Sequence, residues 1–135
     1  MTMNDRPHFV ANGDIRPCRF VKHDTSIAAA AVLEADADER PIGISMEGTE
    51  QFPATGNSAN AASAGKELDV HIIGDMCLLE LGTGGATVDG LLKSDADGKG
   101  VAATADAEWV GAIALETGIA GEKIRVLPVL FQRAS

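Results

Sequence analysis

Aromatic side chains are scarce: the 135 residues include no Tyr, one Trp (Trp109) and four Phe. Surfaces that grip carbohydrate or a host receptor usually rely on exposed rings. The chain is therefore poorly equipped as a free-standing β-sandwich binding module, which is its second reading. Cysteine is scarce too, and Cys18 and Cys77 cannot make a disulfide framework. No segment approaches the roughly 18–20 continuous apolar residues of a membrane span. The start, Met1-Thr2-Met3-Asn4-Asp5-Arg6-Pro7, lacks the apolar centre of a signal peptide. These absences predict a soluble protein made in a cytoplasm, with no membrane partner. Basic residues are outnumbered, 11 against 20 acids, for a formal charge of -9. Phosphate binding needs clustered Lys and Arg, so no nucleic-acid partner is expected. Four of the bases (Arg6, Arg16, Arg19, Lys22) fall in residues 1–23, against two acids. A mildly basic start on an acidic body suits an acidic partner, although chance gives the same bias in so short a segment.

Catalytic material is missing as well. There is no G-x-S-x-G elbow, and His8, His23 and His71 sit in unrelated settings with no orienting partner in the sequence. Cys18, His23, His71 and Cys77 have the chemistry of a four-ligand zinc site, but their spacings are not diagnostic, and small buried core residues are the better reading of the cysteines. Asp95, Asp97, Gly100 and Asp106 imitate a calcium loop, yet Lys99 occupies a ligand position. A solvated turn is the better reading. Gly82-Thr83-Gly84-Gly85 does not lead into a helix that would hold a phosphate. Gly90-Leu91-Leu92-Lys93-Ser94-Asp95 has a faint look of the dUTPase type of nucleotide hydrolase, whose tyrosine-bearing motif is impossible without Tyr. No catalytic residue, metal ligand or cofactor is assigned, and no enzymatic activity is expected.

What is present is short alternating strands. Val110-Gly111-Ala112-Ile113-Ala114-Leu115-Glu116 and Lys123-Ile124-Arg125-Val126-Leu127-Pro128 read as strand, tight Gly-containing turn and strand, with Ile124, Val126 and Pro128 on one face. Further strands are expected over Arg16–Val21, Ile42–Glu47, Leu68–Ile73, Met76–Leu81, Leu91–Lys93 and Val101–Thr104. Ser26–Glu34 is ambiguous between helix and strand, with a weak preference for extended chain. The two halves match in order: Gly13-Asp14 with Gly74-Asp75, Leu33–Asp38 with Leu92–Asp97, Pro41–Ile44 with Trp109–Ala112, and Ala64–Ile72 with Ala120–Pro128. The expected fold is all-β: a compact β-barrel or β-sandwich of two tandem repeats, about 12–73 and 74–130, within one domain spanning 12–135. Residues 1–11 are expected as an extended N-terminal arm. Gly48 to Gly65, rich in turn formers, is expected as one long inserted loop.

Gly111-Ala112-Ile113-Ala114-Leu115-Glu116, followed by Ala120-Gly121-Glu122-Lys123-Ile124-Arg125-Val126, resembles the closing hairpin of the small capsid decoration (cement) proteins of tailed phages and prophages. Gly13-Asp14, Ile42-Gly43-Ile44 and Val88-Asp89-Gly90-Leu91-Leu92 are similar in character and order. The resemblance spans about residues 10–130 and rests on glycines and β-branched residues. It implies a virion protein on the outer capsid surface that binds the major capsid protein, associates with itself as a homotrimer, and stabilises the head. Contact residues are then sought in the parts outside the repeat. In the arm these are Arg6, Pro7, His8, Phe9 and Val10; in the loop, Phe52, Pro53, Thr55 and Asn57 mark a contact or an exposed tip.

Overall fold

In a computed structural model the described residues, 8–26, 31–48, 51–52, 56–57 and 60–133, form twelve strands and no helix. Among the described residues no helix is long and apolar enough to cross a membrane. Five strands close the first barrel: β1 (His8–Ala11), β2 (Phe20–His23), β3 (Ala31–Glu34), β4 (Gly43–Ser45) and β7 (Glu67–His71), in the order β1-β3-β2-β4-β7. β5 (Gln51–Phe52) and β6 (Gly56–Asn57) form a two-stranded ribbon within the long loop. The second sheet holds β8 (Cys77–Glu80), β9 (Leu91–Ser94), β10 (Gly100–Ala102), β11 (Trp109–Ala114) and β12 (Lys123–Gln132), in the order β10-β9-β11-β12-β8. Its two edges meet at a parallel bridge, Leu81 to Gly100, where the Gly82 N–H donates to Gly100 O at 2.9 Å.

The two five-stranded units have the same wiring. In each, the first strand runs antiparallel to the last and meets the third in parallel, and the second pairs antiparallel with the third and fourth. Loop hydrogen bonds repeat too. Gly65 N–H donates to Ala11 O at 2.7 Å, and Gly121 N–H to Leu81 O at 2.9 Å. Both glycines have φ of 87°, a left-handed conformation that favours glycine at this turn. The bridge Ile15 to Ala62 recurs as Ala86 to Gly118. Asp24 Oδ1 accepts from the Ser26 N–H at 2.9 Å, as Asp95 Oδ1 accepts from the Asp97 N–H at 2.8 Å.

These pairings revise the alignment read from the sequence. Ala64–Ile72 and Ala120–Pro128 are equivalent residue for residue. Leu33 and Leu92 are not, because Leu33 lies on β3 whereas Leu92 lies on β9, which holds the place of β2. Gly13 follows β1, while Gly74 lies in the connection before β8. Pro41–Ile44 and Trp109–Ala112 are out by one residue: Ile44, opposite His71, corresponds to Ile113, opposite Leu127, and not to Ala112. Strand β2 starts at Phe20 rather than Arg16, because Pro17-Cys18 turns the chain and Cys18 has φ 58°. Ala31–Glu34 is extended, and residues 27–30 lie outside the described residues.

Alternation sorts the side chains. Ile15, Val21, Val32, Leu68 and Val70 fill the first barrel, with Ala61 and Ala62 from the end of the long loop. The second interior holds Leu79, Leu81, Leu92, Ala112, Ile124 and Val126, and it also takes in Phe20 and Ile44. Phe20 and Ile44 point out of the first barrel, into the end of the second. A Cβ on Gly111 would lie 2.6 Å from Phe20 Cε1 and 2.7 Å from Pro41 Cγ. Only glycine admits this approach. The joint is pinned by Phe20 N–H donating to Gly98 O at 2.7 Å and Glu80 N–H donating to Cys18 O at 2.9 Å. Buried Arg19 reaches Asp97 O at 3.0 Å and Glu80 Oε2 at 3.3 Å.

Candidate functional site

The expected arm residues divide. Arg6 and Pro7 lie outside the described residues, but His8–Ala11 form β1, paired with β3 on one side and β7 on the other. The apolar pair Phe9 and Val10 explains this. Phe9 is half-buried against the first core, and its ring meets that of His23 edge-on at 6.4 Å. Val10, its alternate, is 37% exposed. Of the loop residues, Phe52 and Asn57 lie on the β5–β6 ribbon, with Phe52 opposite Gly56 and Asn57 opposite Gln51, while Pro53 and Thr55 lie outside the described residues.

Beside the Phe9–His23 contact runs a groove of about 340 Å³ lined by Lys22, His23, Thr25, Glu39, Arg40 and Ile42. Each wall follows from local sequence. Lys22 points out of β2, and its Nζ lies 2.8 Å from both carboxylate oxygens of Glu39. This bond is the main cause that holds the Glu39 carboxyl below its ordinary value, and the Asp36 N–H adds to it. Arg40 crosses to the second unit, with its guanidinium 5.4 Å from the Trp109 ring centroid, a cation–π contact. The equivalent pair in the second unit is Lys93 with Glu108, which also accepts from the Thr104 and Ala105 N–H groups at 3.0 and 2.7 Å. These bonds, with Lys93 the largest, bring the Glu108 carboxyl down to about 2. The sequence reading missed this groove. Its signal was the Lys–Glu pair shared by both units, hidden because the copies were aligned out of register.

The four zinc-type residues do not converge. Among the described residues no group of three or more His, Cys, Asp or Glu is arranged to hold a metal. Cys18 and Cys77 are buried thiols outside any disulfide, and burial is the main cause that pushes the Cys18 thiol up to about 11. His71 is buried, with Nδ1 3.0 Å from Asp75 Oδ2 and Nε2 3.1 Å from Glu47 Oε2. It ties the connection between the units to the segment that follows β4. Burial alone would raise the Glu47 carboxyl, but hydrogen bonds from His71 and the backbone outweigh it and leave the group below its ordinary value. Asp95 spends its Oδ1 on the N–H groups of Asp97 and Lys99, at 2.8 and 2.9 Å, so the calcium-like loop is a hairpin turn.

The fold thus defines an all-β protein of two serial five-stranded units sharing one joint. Among solved structures it is similar to the N base of head fiber gp8.5 in bacteriophage phi29, with a TM-score of 0.65, 12% sequence identity, and coverage of 93% of this chain and 93% of that chain. No protein-family model matches the chain, and no curated protein matches it. At that identity the likeness is one of fold.

Proposed function

We propose that this chain is a structural protein of a phage virion, located on the outer surface of the head, where it binds the major capsid protein and bridges its subunits. The observation that carries the reading is the fold likeness to a head fiber base over 93% of both chains. That likeness favours a head-attached role over a free receptor-binding module. The acidic balance, 11 bases against 20 acids, suits a surface turned away from packaged DNA. The protein acts by mass action and not by catalysis: many copies bound to the intact shell stabilise it against the loosened one. It works as a homotrimer, in the manner of the decoration proteins its closing hairpin resembles. The duplicated unit is bounded at about His8–His71 and Cys77–Gln132.

Attachment lies with residues 1–7, leading into β1 beside the groove. The test is co-sedimentation with purified heads. Removing residues 1–7 is expected to abolish binding while leaving the fold intact. Unchanged occupancy would remove the arm from the account. Deletion through residue 11 is not a clean probe, since it takes a strand out of a closed barrel.

A further inference from the structure

The joint inside the chain has two halves, and the chain also carries a free copy of each. In the first unit Phe20, Ile44 and His71 are direct cross-strand neighbours on the outer face of β2-β4-β7. All three are buried, Phe20 and Ile44 because the second unit covers them. The same positions of the second unit are Leu91, Ile113 and Leu127, again direct neighbours across β9-β11-β12. They are apolar, point outward and remain half-exposed. Leu115, just past the end of β11, is 38% exposed. A barrel whose outer face meets only water has no physical reason for this stripe.

The other half is the socket. In the second unit it is built around Lys93, Ser94, Glu108, Trp109 and Gly111. Lys93 Nζ reaches Asp38 Oδ1 at 2.7 Å, Ser94 O accepts from the Asp38 N–H at 3.3 Å, Trp109 lies under Arg40, and Gly111 faces Phe20 and Pro41. Carried past the paired residues, the register of β2/β9 and β4/β11 matches these residues to Lys22, His23, Glu39, Arg40 and Ile42, which line the open groove of the first unit. Sizes change in a compensating sense. Where the filled socket pairs Phe20 with Gly111, the free halves offer Leu91 and Ile42, a smaller knob for a narrower hole.

We infer that the Leu91–Ile113–Leu127 stripe of one chain docks in the Lys22–Ile42 groove of a second copy of this chain, repeating between molecules the joint that already exists within one. Such a contact is heterologous, with different surfaces on the two partners, and closes into a ring or runs on as a chain according to its rotation. The inference deepens the self-association part of the reading above by naming its surfaces. Its test uses purified protein without heads, so its failure and a failure to bind heads are separate results.

The test is sedimentation equilibrium on the full chain and two variants. Ile113→Glu puts a charge in the stripe, and Thr25→Trp fills the groove from an exposed turn position. The wild type is expected to associate, and each variant alone to stay monomeric. A one-to-one mixture is expected to form a heterodimer, because one variant keeps an intact groove and the other an intact stripe. Circular dichroism and urea midpoints check that both variants fold, with Leu127→Lys replacing Ile113→Glu if that one does not. A wild type that stays monomeric at millimolar concentration, variants that associate like wild type, or folded variants that fail to pair would each overturn the proposal.

Discussion

Replacing Gly111 with alanine adds one methyl group where the two units meet. Its Cβ would lie 2.6 Å from Phe20 Cε1 and 2.7 Å from Pro41 Cγ, well inside the roughly 3.5–4.0 Å of favourable carbon contacts. Neither neighbour gives way cheaply. Phe20 is fully buried, and the Pro41 ring is held by the backbone before β4. Overpacking of this kind costs about 1–3 kcal/mol. Phe20→Leu alone opens a small cavity and costs about 1–2 kcal/mol. Together the changes compensate, since leucine vacates part of the volume that the methyl needs. The double variant is therefore expected to be more stable than the sum of the single losses by about 1 kcal/mol. Urea unfolding measures all three, with equal m-values showing that the same surface is exposed. If Gly111→Ala lies within about 0.5 kcal/mol of wild type, or if the two changes simply add, the joint is not packed as described.

Two further expectations are chemical. Glu108 has its folded value depressed from 4.5 to about 2, so the stability it contributes is complete above about pH 4.5 and is lost as pH falls through about 2. Glu108→Gln is expected to lower stability at neutral pH and narrow its gap to wild type between pH 4.5 and 2, measured by thermal melts; a gap independent of pH would refute the assignment. The Cys18 thiol, buried and pushed up to about 11, is expected to resist a thiol reagent at pH 8 until the protein unfolds, so labelling of the native protein at a model-peptide rate would contradict its burial.

The all-β class was legible because alternation and turn residues are local signals. Ile124, Val126 and Pro128 were placed on one face of a strand, and all three are buried. The β3 residues Ala31–Glu34 are extended, the weakly preferred reading of an ambiguous segment, despite the helix propensity of the alanines. Register was not legible. Leu33 and Leu92 look alike in sequence, but only strand pairing reveals that one lies on a third strand and the other on a second. The strand role of Phe9 and Val10 was also hidden, because it arises only through pairing with β3 and β7, which are distant in sequence. The groove needs residues from strand β2, the turn after it and the segment before β4, and its chemistry is an ion pair with no motif spacing.

The central claim is that this twin-unit protein sits on the outside of a phage head. Cryo-electron microscopy of virions produced by the genome that carries the gene tests it most directly. The account predicts density fitted by two five-stranded units on the outer capsid surface, with residues 1–7 directed toward the major capsid protein. Heads of full composition that lack such density, with the protein recovered only in the unbound fraction, would contradict it.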